Sequence, residues 1–275
     1  MKKSFNPFFL SLLILGALIV SSCGTDDNPV PDLSVVNEDT QVNMAFEEID
    51  NMTLTVLSET GLSARTTLDF PTGKLCEGAI VTLDEESKKI KVDFGDGCTS
   101  TDGVTRKGIV MIAYTGNLLF QGAQITTTFD GYEVNGLKVE GNRMLTNKGA
   151  DLETSTINVD VNIQNGKVTW PDGTYVTVTS DQERSIKLGT QGGYEATVTG
   201  TASGISRGGF EYTSSVTEPL IYTKSCIESG VSVPLSGIVE FQFRGIEASV
   251  DYGDGACDKL ATVYYPNGSL PMTLD

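Results

Sequence analysis

The chain has 275 residues, with 36 Asp and Glu against 19 Lys and Arg, a formal charge of −17 and no histidine. Such acidity repels nucleic acid and anionic headgroups alike, which excludes nucleic-acid binding. The missing histidine removes Ser-His-Asp and Cys-His mechanisms, histidine general bases and nearly all zinc sites, so any catalysis would have to use carboxylates, lysine or tyrosine.

Met1, Lys2 and Lys3 precede an apolar run from Phe8 to Val20, followed by Ser21, Ser22 and Cys23. A basic start, an apolar stretch and small residues before a cleavage point make residues 1–22 a secretory signal. The run is shorter than the roughly 20 residues a spanning helix needs. "VSSC" resembles a bacterial lipobox, which implies cleavage immediately before Cys23 and lipid, palmitate included, on that cysteine. Several acyl chains hold a protein to a membrane where one does not, at about 0.8 kcal/mol per buried CH₂. Loss of residues 1–22 takes away Lys2 and Lys3 and no acid, moving the charge from −17 to −19. Gly24 rather than Asp after the cysteine points to the outer membrane. Asp26 and Asp27 resemble the acidic pair of surface-directed lipoproteins. Residues 23–38, with Pro29 and Pro31, are expected to form an extended, lipidated tether.

Val42, Phe46, Ile49, Met52 or Thr53, and Val56 recur at helical spacing, with Gly61 placed as a C-cap. One amphipathic helix is therefore expected over 39–61, packing on a β body spanning 62–275. From about Gly78 the pattern alternates, most clearly at Ile157, Val159, Val161 and Ile163, with Asn158, Asp160, Asn162 and Gln164 on the opposite face. Turn pairs punctuate this region at Asp102-Gly103, Asp130-Gly131, Asn135-Gly136, Asn165-Gly166, Asp172-Gly173, Gly192-Gly193 and Gly208-Gly209. Near Gly131 the inward parity changes from Ile125, Thr127 and Phe129 to Tyr132 and Val134, so a bulge or turn must reset the register. The expected fold is mainly β: a long antiparallel meander, either sandwich or curved half-barrel, with one N-terminal amphipathic helix.

"VDFGDGC" (Val92–Cys98) returns as "VDYGDGAC" (Val250–Cys257). Asp93 and Asp96, matched by Asp251 and Asp254, suggest calcium, but two acids and two glycines fall short of a complete calcium loop. "VDFGDG" is also similar over six residues to a PKD-domain motif, without that family's Trp, downstream Pro or His-Thr-Tyr ending. The remaining cysteines, Cys76, Cys98, Cys226 and Cys257, are the even number expected of two disulfides in an exported chain. The hairpin centred near Ser87 brings Cys76 opposite Cys98. Cys226 precedes a second hairpin, around Arg244-Gly245, that leads to Cys257. Pairing of early with late copy, Cys98 with Cys257, is the alternative. Trp170, before a Pro-Asp-Gly turn, reads as a cap on the core, with a sugar platform as the competing role.

The lipobox, "LCEG", "VDFGDGCTSTDGVTRKG", "TTTFDGYEVNGLKVEGNRMLTN", "TWPDGT", "GTASG" and "VDYGDGACDKLATV" together resemble a family of uncharacterised Bacteroidetes-type outer-membrane lipoproteins. That resemblance implies a lipidated Cys23, a helix, long strands and four cysteines, and carries no catalytic residues. The expected protein is a lipid-anchored, non-enzymatic binding or structural module, without cofactor or metal. Its partners would be the membrane, through the lipid, and an envelope protein, glycan or lipid ligand. A carrier of a hydrophobic ligand, with the helix as lid, and a carboxylate-based glycan hydrolase are the alternatives.

Overall fold

The computed structural model describes residues 30–60, 75–117, 120–189 and 193–274, with backbone alone at 58 and 59. Pro31–Asp275 form one compact unit. The signal, Cys23 and most of the expected tether lie outside the described residues. Helix α1 covers Ser34–Glu59, so residues 34–38, read as tether, are helical. Strands β1 (Ile80–Asp84), β2 (Lys89–Asp93) and β3 (Cys98–Thr99) follow, then β4 (Thr105–Tyr114), β5 (Gln124–Val134), β6 (Leu137–Asp151) and β7 (Thr156–Thr169). The chain continues through β8 (Tyr175–Leu188), β9 (Tyr194–Ile205), β10 (Glu211–Thr223), a one-turn helix α2 (Lys224–Glu228), β11 (Ser236–Phe243), β12 (Ile246–Asp254), β13 (Leu260–Tyr265) and β14 (Gly268–Thr273).

These strands form one antiparallel sheet in chain order, β3 continuing beside β4 where β2 leaves off. A single open meander replaces the two-sheet sandwich that the alternation also allowed. Tight turns close where both central residues take positive φ, as at Asn135-Gly136 (48° and 80°) and Arg244-Gly245 (51° and 74°), matching the right-handed twist of the flanking strands. Among the described residues no helix is long and apolar enough to cross a membrane.

Bulges bend the sheet. The β4–β5 ladder shifts between Lys107 and Ile109 and the β5–β6 ladder between Thr128 and Glu133, so the register change expected near Gly131 is a bulge inside a continuous β5. Gly108 has φ +77°, and a Cβ there would lie 2.2 Å from the carbonyl oxygen of Gly131, so two backbones meet where only glycine fits. Asn165-Gly166, expected as a hairpin turn, is a second such bulge. It lies within β7, where the pairing with β8 shifts between Ile163 and Gly166. Inward parity changes there from Val161 and Ile163 to Val168.

The sheet encloses α1. The expected stripe is buried at Val42, Phe46, Ile49, Met52, Thr53 and Val56, but so are Val35, Val36, Ala45, Thr55 and Leu57. Between Val35 and Leu57 only Asn37 is exposed. A helix lying on a flat sheet would leave one side wet; this one is covered around its circumference. Curvature also follows from reach, because one turn of α1 contacts side chains from both β4 and β8. Those strands are four steps apart, about 19 Å along a sheet with about 4.8 Å between neighbours.

Both disulfides join the residues that the hairpins bring together, Cys76 with Cys98 (Cα separation 5.7 Å) and Cys226 with Cys257 (5.4 Å). The first ties the segment before β1 to β3, and the second ties α2 across β11 to the loop after β12. Closing loops of 22 and 31 residues restricts the unfolded chain by about 3 to 4 kcal/mol each.

Candidate functional site: the acidic helix inside the sheet

The repeated Asp-Gly motifs are built alike. Val92 and Phe94 in one copy, and Val250 and Tyr252 in the other, point inward and are buried. Asp93 Oδ1 accepts the Gly95 N–H (2.9 Å), and Asp251 Oδ1 accepts the Gly253 N–H (2.8 Å), so each first Asp caps its own turn. Lys91 lies 2.9 Å from Asp93, and the carboxyl of Asp93 is lowered by its hydrogen bonds to Lys91 and to the Gly95 N–H. Asp96 and Asp254 are exposed. Among the described residues no three His, Cys, Asp or Glu side chains come together to hold a metal ion.

Chemistry instead concentrates along α1, a helix with five acids between Glu38 and Asp50 and no Lys or Arg. Asp50 receives two hydrogen bonds from Arg143 on β6, Nε to Oδ1 at 3.1 Å and Nη2 to Oδ2 at 2.7 Å. Arg184 on β8 grips Glu47 through both terminal nitrogens and lies 3.3 Å from Asp50. Arg106 on β4 donates to Glu48 through Nε (3.1 Å) and Nη2. Burial raises the carboxyl of Glu48, opposed by the charge of Arg106. Phe46 also lies 5.6 Å from the Arg143 guanidinium.

Each guanidinium keeps one buried nitrogen without a partner among the described residues: Arg106 Nη1, Arg143 Nη1 and Arg184 Nε. Buried pairs of this kind cost desolvation on both sides, so they orient α1 more than they stabilise it. They also occupy the carboxylates that a hydrolase would need free.

The N-terminal part of α1 is held differently. Trp170 donates its indole N–H to Gln41 (3.0 Å) and lies under the Arg207 guanidinium at 4.7 Å, so its polar edge is spent on the helix. The Arg207 backbone N–H donates to Glu38 (2.9 Å). Asp39 has two neutral donors, the Tyr212 hydroxyl and Asn43 Nδ2, each at 2.9 Å. Burial lifts its carboxyl to about 6 even though both hydrogen bonds pull the other way. Asp39 forms part of the wall of a cavity of about 70 Å³ between α1 and the inner face of β8 to β12. That volume has room for a few water molecules.

Of the residues singled out from sequence, the four cysteines are disulfide-bonded and Cys23 lies outside the described residues. Periodicity missed the helix acids and their arginines. Their signal was an arginine on the inward parity of a strand: Arg143 between Val139 and Leu145, and Arg184 after Val176, Val178 and Ser180. No protein-family model, no curated protein and no solved structure matches this chain.

Proposed function

We infer that this chain is a lipid-anchored protein of the outer membrane or cell surface, held through Cys23, whose β body is a non-enzymatic binding or structural module. Its likeness to Bacteroidetes-type lipoproteins, read from the sequence, supports the anchor. The observation carrying the module reading is that α1 fills the concave face of the sheet, with Glu47, Glu48 and Asp50 tied to arginines. A carrier of a lipid would need an apolar space on the order of 300 to 1,000 Å³, far above the roughly 70 Å³ beside α1. A glycan hydrolase would need two carboxyls open to a sugar.

The anchor is tested by growing cells with labelled palmitate. Label should enter the wild-type protein, fractionate with the outer membrane and be absent from Cys23→Ala; label retained in that variant would defeat the anchor. Turnover of a glycan that disappears when one carboxylate is changed would defeat the module reading.

A further inference from the structure

We propose that the cavity beside Asp39 is a binding site for a primary alkylammonium ion, with the ammonium on Asp39 and Ser180 and the short alkyl chain against Tyr222, Phe241 and Tyr252. All five residues line this cavity. Asp39 is 3% exposed, and its hydrogen-bond partners are both neutral. A buried carboxylate is normally matched by a cation, as Asp50 is by Arg143. Ser180 is 2% exposed, and its hydroxyl is buried without a partner among the described residues. An ammonium group, with three donors, would bond both the carboxylate and this hydroxyl. Tyr222, Phe241 and Tyr252 give the cavity an aromatic, apolar lining that suits an alkyl chain and that a hydrated sodium ion cannot use.

Access is built into the sheet. Pairing of β9 with β10 stops between Thr201–Ser215 and Val198–Leu220, and all four of those residues line the cavity. Over the rest of their length the two strands are hydrogen-bonded, so the break is local to the site. The net charge of −17 raises the local concentration of any cation near the surface. The inference goes beyond the envelope-module reading and does not depend on the anchor.

The test is a titration of the full chain, in detergent, at pH 8 with n-propylammonium chloride, against sodium chloride and tetramethylammonium chloride at matched ionic strength. Thermal unfolding and calorimetry provide the readouts. Propylammonium should raise the unfolding temperature saturably by several degrees and release or absorb heat with a one-to-one stoichiometry, while the two controls do neither. Asp39→Asn should weaken binding at least tenfold. Ala202→Leu, which leaves the bonds to Asp39 in place and fills the cavity, should also abolish binding, so the test survives if Asp39→Asn does not fold. Equal stabilisation by sodium, or unchanged propylammonium binding in Ala202→Leu, would overturn the site. Loss of palmitate label from the wild type would overturn the anchor alone.

Discussion

Replacing Asp39 by Asn isolates the effect of one buried charge. Asp39 is 3% exposed. Burial raises its carboxyl from 3.8 to about 6 against the smaller pull of Tyr212 and Asn43. The titratable groups around it are Tyr212 on β10 and Tyr252 on β12, both phenols raised first by burial and then by the charge of Asp39, with Glu38 acting on Tyr212 as well. Neither phenol changes charge between pH 4 and 7. In that range the folded state holds a proton that the unfolded chain has released. Its contribution to stability is therefore greatest in acid, falls as pH rises from about 4 to about 6, and is level above that. At about 1.36 kcal/mol per pH unit the whole change is about 3 kcal/mol, of which about 2 kcal/mol falls between pH 4.5 and 7.5. Asn keeps an oxygen for Tyr212, and the Asn43 amide can turn to meet its NH₂ by giving up its bond to the Asp39 backbone carbonyl (3.0 Å), a loss that does not vary with pH. Urea unfolding with disulfides intact, followed by the fluorescence of Trp170, should show Asp39→Asn gaining about 2 kcal/mol on the wild type between pH 4.5 and 7.5. A wild-type-to-variant difference that stays constant across that range would refute the reasoning, whatever its size at any one pH.

Two further perturbations address the pairing of helix with sheet and the bending of the sheet. Arg143→Met leaves the Asp50 side chain, 5% exposed, with Arg184 alone at 3.3 Å, and should cost about 3 kcal/mol in the same assay; the Asp50→Leu/Arg143→Met double variant should cost less than Arg143→Met, and a larger loss in the double would contradict a mainly positional role. Gly108→Ala should lose at least about 2 kcal/mol, because its Cβ would meet the Gly131 carbonyl at a positive φ. Gly131→Ala, with φ +59° but open space around it, should lose only about 1 kcal/mol; thermal unfolding that ranked the two the other way would show that the close approach is not what selects glycine there.

Period-two alternation and turn pairs exposed the meander because each strand has a core side and a wet side, and the hairpin around Ser87 exposed the first disulfide because its arms are nearly equal in length. Asn165-Gly166 misled for a physical reason. A bulge and a type I′ turn both need positive φ, and Asn165 has φ 52°, so the dipeptide looks the same in either. What separates them is the chain available afterwards: only Lys167, Val168, Thr169 and Trp170 lie between Gly166 and the Pro-Asp-Gly turn, too few for a returning strand. The same count applied to Tyr132–Val134, between Asp130-Gly131 and Asn135-Gly136, gives the bulge in β5.

That distinction also governs how much of the candidate site could be read. The Asn165-Gly166 bulge exchanges the faces of β7 beyond it, but Arg143 keeps the parity of Val139 and Leu145, and Arg184 that of Val176, Val178 and Ser180, so both arginines turn inward once β6 and β8 are read as continuous strands. With Asp130-Gly131 and Asn165-Gly166 read as turns, β5 and β7 are cut short and no sheet is long enough to bend around the acids of α1. With them read as bulges, the strands are long, the sheet bends around the helix, and an all-acidic helix meets arginines from three separate strands. The apolar stripe could not reveal this enclosure, because a 3.6-residue period detects one buried side of a helix and is blind to a second side buried through charge pairs.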